Sequence, residues 1–287
     1  MRHSFLAWTL GLLWSSVVLA ENRVPISTTP GAIDSSSTSF HTVTPRFTVR
    51  HDVGDGVGYD NGFTYLEGLL PIWQTSPEEL FFGDLRVVNF DHLEFWEFNV
   101  GGGYRWYDSC TDRVHGVNVF YDGRTTGNAY YNQIGLGFES LGDAFDVRVN
   151  GYIPVGKQEN SLGVRNPFFG GNNIFLNRTV EVALTGFDAE VGMPLPVDCN
   201  IDTRVFAGIY YYDGNLSKGA LGISGRIESR LSETLTLHFA IQNDRIFDTT
   251  VSGGLAFHFG GGRLRRGWRW QGQRSVEDRL GDRIVRD

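Results

Sequence analysis

Residues 235–242 read Leu-Thr-Leu-His-Phe-Ala-Ile-Gln, in which large apolar side chains alternate with polar or small ones. Because successive side chains of a strand point to opposite faces, this stretch predicts a strand with one apolar face and one polar face. The same alternation recurs along the chain, for example at 145–153 and 221–230, with turn residues between the blocks. A soluble β-sandwich buries its apolar face, whereas a transmembrane barrel turns that face to lipid and lines its lumen with charges. The pattern alone permits both architectures.

The first twenty residues have the composition of a secretory signal peptide. Arg2 and His3 form a basic start, the segment from Phe5 to Val18 is mostly apolar, and small residues lead up to Ala20. This order predicts cleavage after Ala20. A transmembrane anchor is the alternative, although the apolar run is short for a membrane span. Elsewhere no apolar stretch is long enough for a spanning helix, so residence in a membrane would require a closed barrel.

Between a Ser/Thr-rich lead-in at residues 21–44 and a tail at 261–287, the region 45–260 divides into candidate strands. The predicted strands are 45–52, 61–73, 80–90, 95–107, 114–122, 130–140, 144–155, 179–193, 200–212, 218–230, 234–243 and 250–260. The longest connection, 156–178, is expected to be an exposed loop. An even strand count with short turns at one end and longer loops at the other is typical of outer-membrane barrels. The predicted fold class is therefore all-β, a closed antiparallel transmembrane β-barrel of about twelve strands.

Charge is distributed unevenly along the chain. Residues 261–287 contain eight Arg and four acidic residues, a net charge of +4, whereas the whole chain carries −8. Such a basic tail after an acidic body can be a nucleic-acid arm, a contact for an anionic surface, a solvated tail, or a segment inside the barrel's own lumen. The candidates for a plug in the lumen are Arg263, Arg265, Arg266 and Arg269.

Charged residues also occupy the polar face of the predicted strands. The candidates to face the lumen are Arg86, Asp146, Arg148, Glu190, Asp202, Arg204, Arg226, Glu228 and Arg230. Such groups can perform acid–base chemistry, bind a cation or set the selectivity of a pore. Because they are scattered over many strands, we favour a network of ion pairs that holds the barrel in shape.

Motifs that would indicate an enzyme are missing from the sequence. It contains no Gly-x-Ser-x-Gly elbow, His-Glu-x-x-His helix or phosphate-binding loop. Two cysteines, Cys110 and Cys199, lack metal-ligand spacing, and whether they pair is left open. We therefore predict no enzymatic activity, cofactor, metal, nucleic-acid partner or small-molecule substrate. The expected partners are outer-membrane lipid, the barrel-assembly machinery and periplasmic chaperones.

Four motifs then follow one another in a specific order. They are Gly-Val-Asn-Val-Phe-Tyr-Asp at 116–122, Leu-Gly-Phe-Glu at 136–139, Asn-Gly-Tyr-Ile-Pro at 150–154, and a Gly-Phe-Asp…Gly-Met-Pro-Leu-Pro series at 186–196. This series resembles the translocator barrel of inverse autotransporters, the intimin/invasin family. The segments 70–73 and 81–86 resemble the branch found in planctomycete-type bacteria.

The resemblance implies a twelve-stranded outer-membrane barrel in which the first strand begins, and the last strand ends, on the periplasmic side. It also implies a linker that returns through the lumen, and a C-terminal passenger used in surface display and cell adhesion. Here 27 residues follow Gly260, without immunoglobulin-like repeats or a lectin domain, so we expect a barrel without a passenger. Three functions stay open: a translocator-type barrel plugged by its tail, a small porin-like channel with a charged lumen, and a secreted soluble β-protein.

Overall fold

The computed structural model describes residues 42–57, 59, 61–91, 95–170, 173–195, 201–215, 219–261 and 275–286, with side chains left undescribed at 164–178. Fourteen strands lie within these ranges. They are β1 (Arg46–Gly54), β2 (Phe63–Trp73), β3 (Glu79–Phe90), β4 (Trp96–Asp108), β5 (Arg113–Thr125), β6 (Tyr130–Gly142), β7 (Asp146–Val155), β8 (Glu159–Gly170), β9 (Asn173–Val182), β10 (Thr185–Pro194), β11 (Asp202–Asp213), β12 (Ala220–Arg230), β13 (Leu235–Asp244) and β14 (Asp248–Gly260). A short 3₁₀ helix spans Glu277–Gly281. No helix among the described residues is long and apolar enough to cross a membrane.

Twelve of these strands close into one antiparallel barrel. The order around the barrel is β1-β14-β13-β12-β11-β10-β7-β6-β5-β4-β3-β2. The first and last strands complete the circle, with pairs that run from Arg46↔Gly260 to Gly54↔Ser252. Because both edges are paired, no edge is left to expose backbone groups to lipid. The predicted fold class, a closed barrel of about twelve strands, is confirmed.

One part of the predicted strand map is wrong. The expected loop 156–178 is largely a β-hairpin, in which β8 and β9 pair from Glu159↔Val182 to Gly170↔Asn173 and form a sheet of their own. The predicted strand 179–193 is two strands, β9 and β10, of which only β10 joins the barrel. The barrel strands must present alternate residues to lipid, but a hairpin outside the wall has no such requirement. Its sequence therefore lacks the alternation that identifies the other strands.

The alternation separates an outer apolar face from an inner polar face. Ile223 and Val119 expose 64% and 51% of their surface on the outside, whereas Asp146 and Glu67 are 0% and 1% exposed on the inside. A soluble β-protein would reverse this arrangement, because water-facing strands carry polar side chains. The outward apolar band is the surface that meets lipid, so the soluble alternative is wrong.

The two ends of the barrel differ in the connections between strands that they carry. The end where β1 begins and β14 ends, called here the terminal end, also carries the turns at 74–78, 109–112, 143–145 and 231–234. The opposite end carries the β8–β9 hairpin and is called the hairpin end. A row of aromatic rings lies near the terminal end, where Phe81 contacts Trp73 and Tyr104 with ring centroids 5.6 and 4.4 Å apart. Aromatic rings in such a row suit a membrane–water interface.

Candidate functional site

Charged side chains on the inner wall form a connected belt across β7, β10 and β12. Glu190 pairs with Arg148 (Nη1–Oε1 2.9 Å) and with Arg226 (Nη2–Oε1 2.7 Å). Arg226 also pairs with Glu228 at 2.7 Å, so one guanidinium joins two carboxylates. Acidic and basic groups that neutralise one another in this way hold neighbouring strands together inside a space with little water.

The remaining predicted wall residues lie on both sides of this belt. Asp146, at the start of β7, is 3.2 Å from Arg204 Nη1, and Arg204 Nε is 3.8 Å from Asp202. Across the barrel, Arg86 donates to Glu67 at 2.7 Å from the neighbouring strand. Arg230 lies at the terminal end and donates to the backbone carbonyls of Ser232 and Glu233.

The C-terminal residues 275–286 lie inside this wall, and one side of the segment is apolar. Val276, Leu280 and Ile284 are each at most 2% exposed. They pack in one cluster with inward apolar side chains from strands β2, β3, β5 and β6. The wall members of this cluster are Leu69, Leu80, Phe82, Val114, Phe120 and Leu141. The lumen is therefore partly hydrophobic, and the segment completes its apolar core.

The other side of the segment carries three arginines that reach three wall carboxylates. Arg279 donates two hydrogen bonds to Asp146, Nη1 to Oδ1 at 2.6 Å and Nη2 to Oδ2 at 2.7 Å. Arg283 donates to Glu228 Oε2 at 3.2 Å. These two contacts attach the segment to β7 and to β12.

The third arginine reaches farther along the lumen. Arg286 donates to both carboxylate oxygens of Asp122 on β5, at 3.0 and 2.6 Å. Its guanidinium also lies over the ring of Phe120, 4.3 Å from the centroid. Bidentate pairs of this kind fix orientation as well as charge, because two parallel hydrogen bonds are made at once.

Wall side chains also donate to the backbone of the segment. Arg105 Nη1 donates to the carbonyls of Leu280 and Asp282. Farther along, Arg86 Nη2 donates to the carbonyl of Ile284 at 3.1 Å, and Asn150 Nδ2 donates to that of Val285 at 3.2 Å. These contacts satisfy carbonyl groups that would otherwise be buried without a partner.

The segment rises from the terminal end toward the hairpin end. Near Ser275 and Glu277 it borders a cavity of about 360 Å³ that is also lined by Pro77 and Glu233 in terminal-end turns. Beside Arg279 and Arg283 lies a smaller cavity of about 40 Å³, which has room for on the order of one water molecule.

The predicted plug residues Arg263, Arg265, Arg266 and Arg269 lie outside the described residues. Within residues 275–286, the arginines that contact the wall are Arg279, Arg283 and Arg286, which were not among the predicted plug residues. Their signal is a spacing: apolar residues recur every fourth position at 276, 280 and 284, and an arginine follows each after two or three residues. The prediction that Arg263, Arg265, Arg266 and Arg269 enter the lumen rested on arginine density, and it stays a prediction.

Outside the barrel wall, Glu181 holds the base of the β8–β9 hairpin against the β5–β6 connection. It accepts hydrogen bonds from Thr126 and Asn128 at 3.1 Å each, and from Asn160 at 3.3 Å. Burial acts to raise the pKa of Glu181, but these hydrogen bonds outweigh it and lower the pKa below its ordinary value. The hairpin base is thus anchored through an ionised carboxylate.

The part of the chain that the structure describes offers little for a metal. Within it, no group of three or more His, Cys, Asp or Glu side chains is arranged to hold a metal ion. Cys110 is exposed and not in a disulfide, and Cys199 lies outside the described residues.

Comparison with known proteins finds a family whose model matches this chain. The model of the family described as the inverse autotransporter β-domain matches residues 37–216. A solved chain from work on the in-meso crystallization of membrane proteins superposes with a TM-score of 0.59 and 19% identity, over 84% of this chain and 96% of that chain. At that identity the likeness shows the fold alone.

Two further solved structures resemble the chain more weakly. An outer membrane channel from Pseudomonas putida F1 gives a TM-score of 0.49 at 9% identity, over 79% of this chain and 100% of that chain. The KdgM porin gives 0.44 at 9% identity, over 75% and 99%. Neither score is high enough to carry an argument about function. No curated protein sequence matches this chain.

Proposed function

Because the chain belongs to the inverse autotransporter β-domain family, we propose that it is a translocator-type barrel whose lumen is closed by its own residues 275–286. The observation that carries the proposal is the set of three arginines, Arg279, Arg283 and Arg286, each bonded to a carboxylate on a different strand. A segment attached to three strands of the wall, and packed against its apolar side chains, obstructs the path of ions.

The barrel is an outer-membrane protein, and the proposal includes the route by which the chain reaches the outer membrane. Residues 1–20 act as a signal peptide removed after Ala20, and the mature chain is inserted by the barrel-assembly machinery with the help of periplasmic chaperones. The terminal end then faces the periplasm, and the β8–β9 hairpin faces the outside. This orientation follows the rule that short turns of outer-membrane barrels lie in the periplasm.

Single-channel conductance in a planar bilayer tests the closure. The full chain and a chain without residues 261–287 are refolded, and heat-modifiable migration verifies that both form barrels. We expect the full chain to be closed and the shortened chain to conduct. Equal, steady conductance in both would overturn the closure and support a small porin-like channel.

The porin-like channel is the second candidate function. It is favoured by the charged belt around Glu190 and Arg226, which resembles the lining of a selective pore. Its test is the same recording, because a working channel conducts with residues 275–286 in place.

A further inference from the structure

A histidine interrupts the apolar outer face of the barrel near the hairpin end. Val49 and Val53 of β1 are exposed on this face, and His51 lies between them with 51% of its side chain exposed. Beside it in the register is Thr64, the second residue of β2. A polar side chain among lipid-facing positions loses hydration, so it requires polar partners at that place.

Those partners are a hydroxyl on one side of the imidazole and a carboxylate on the other. The Nδ1 atom of His51 is 3.0 Å from Thr64 Oγ1, within hydrogen-bond distance. Its Nε2 atom is 4.0 Å from Oδ2 of Asp91, the residue that follows β3. A carboxylate that faces Nε2 favours the tautomer with its proton there, so Nδ1 is left to accept the hydroxyl proton. Hydroxyl, imidazole and carboxylate therefore lie in the order that activates a nucleophile for acyl transfer.

The strand register places the neighbours of Thr64 on both sides. The Asp91 backbone N–H donates to the carbonyl of Gly62 at 2.9 Å, which holds Asp91 beside the start of β2. On the side away from His51, the register partner of Thr64 is Asn89 of β3. Register partners share a face of the sheet, and asparagine amides are among the donors that stabilise the oxyanion of acyl transfer.

The level of this group in the wall indicates the chemical class of its substrate. Asn89 pairs in turn with Trp96 of β4, whose side chain is exposed. An exposed tryptophan near a strand end suits the membrane–water interface, the level at which membrane lipids carry their ester groups. Leu66, the next outward residue of β2 toward the terminal end, is also exposed and offers an apolar surface for an acyl chain.

We propose that Thr64, His51 and Asp91 form a second site, which hydrolyses carboxylic esters of membrane lipids at the outer face of the barrel. Thr64 Oγ1 attacks the ester carbonyl carbon, and its proton passes to His51 Nδ1. The C–O bond of the ester then breaks, and the proton passes from Nδ1 to the leaving alkoxide. Water attacks the acyl-threonine and gives a proton to Nδ1. The bond between the acyl carbon and Oγ1 breaks, Oγ1 takes the proton back, and the fatty acid is released.

Thr64 and His51 are the catalytic residues, and Asp91 is a positioning residue that orients the imidazole and stabilises its charged form. The lack of hydrolase motifs in the sequence does not oppose this site. The three residues come from three separate strand ends, and such groups are recognised by geometry rather than by a linear motif.

Fatty-acid release from two lipids tests the proposal. The refolded full chain is placed in phosphatidylethanolamine vesicles and, separately, is mixed with lipopolysaccharide; heat-modifiable migration verifies each barrel. Thr64→Val should reduce release to the level without protein, and His51→Asn should lower kcat by about 10²–10⁴-fold. Thr64→Ser keeps the hydroxyl and should retain activity. The matched control is His115→Asn, which replaces a histidine beside Trp106 at the terminal end and should change nothing.

Two further measurements separate chemistry from a structural role. Asp91→Asn should lower kcat by roughly two- to fivefold with KM unchanged, because the carboxylate is partly exposed and acts only through the imidazole. A fluorophosphonate probe should attach to Thr64 Oγ1 with loss of fluoride, and mass spectrometry locates the adduct. His51→Asn should slow this labelling.

Each outcome decides the proposal. Release from either lipid that is lost in Thr64→Val and His51→Asn, but kept in Thr64→Ser and His115→Asn, supports the site, and the cleaved lipid identifies the source of the ester. No release from either lipid overturns it, as does release that Thr64→Val leaves unchanged or a probe adduct at another residue. An unchanged kcat in Asp91→Asn overturns the positioning role. These results do not involve the lumen, so their failure is distinct from a failure of its closure by residues 275–286.

Discussion

Replacement of Arg279 by Gln should shift the barrel strongly toward an open lumen. The Arg279 side chain is 3% exposed, and its partner Asp146 is 1% exposed. It donates twice to Asp146, once to the carbonyl of Gly142 and once to Asp282. Removal of one partner from a buried pair costs about 3–5 kcal/mol.

The lower end of that range applies here, because Asp146 keeps a second cation. Arg204 is 3.2 Å from it, and the amide of Gly142 also donates to it. A loss of about 3 kcal/mol corresponds to a shift of roughly a hundredfold in the ratio of open to closed states. Asp146→Asn should shift the same ratio similarly. Asp146→Asn also removes the partner of Arg204. That loss is the same whether or not the segment is in place, so it lowers the stability of the barrel and leaves the ratio of open to closed states unchanged.

Single-channel recording measures the fraction of time that each variant is open, and Arg245→Gln is the matched control. Arg245 contacts only the carbonyl of Gly219 in its described hydrogen bonds, at the hairpin end. The double variant of Arg279 and Asp146 should open little more than either single variant, since both remove one interaction. If each single variant changes the open fraction by less than about threefold, or if their effects simply add, the pair does not hold the segment and the reasoning is refuted.

Three further predictions concern the segment, the lipid face and the hairpin. Gly135→Ala places a Cβ against the guanidinium of Arg286, so the open fraction should rise about tenfold in bilayer recordings, with the barrel still heat-modifiable. Val119→Arg, at the middle of β5 on the lipid face, should destabilise the barrel by about 2–4 kcal/mol in denaturant unfolding from vesicles; Val53→Arg, near a strand end, should cost at most about 1 kcal/mol. Since the pKa of Glu181 is lowered in the folded protein, its anchoring of the hairpin is complete above the ordinary value of 4.5 and is lost as the pH falls through the lower folded value. Protection of the amides at the hairpin base, measured as exchange relative to an unfolded chain at the same pH, should therefore fall at low pH, and Glu181→Gln should abolish that dependence.

Local periodicity was sufficient to predict the strands of the barrel, although it left open whether their apolar faces meet lipid or a soluble core. Each strand must place apolar residues toward lipid and polar residues inward, so the two-residue alternation is present in every barrel strand and can be read without knowledge of its neighbours. The inward position of Asp146 and the outward position of Ile223 both follow from this parity. The β8–β9 hairpin was not predicted from the sequence, because its strands pair with each other outside the wall, where the membrane imposes no alternation of apolar and polar residues.

The presence of residues 275–286 in the lumen depends on the tertiary structure. Arg279 and Arg286 are 133 and 164 residues from the carboxylates they contact, so no local pattern specifies their partners. The sequence by itself determined a series of strands with one apolar and one polar face, and an acidic body with a basic tail, because the alternation is local to each strand. Which arginines enter, and which carboxylates receive them, depends on strands that only the closure of the barrel brings around one axis.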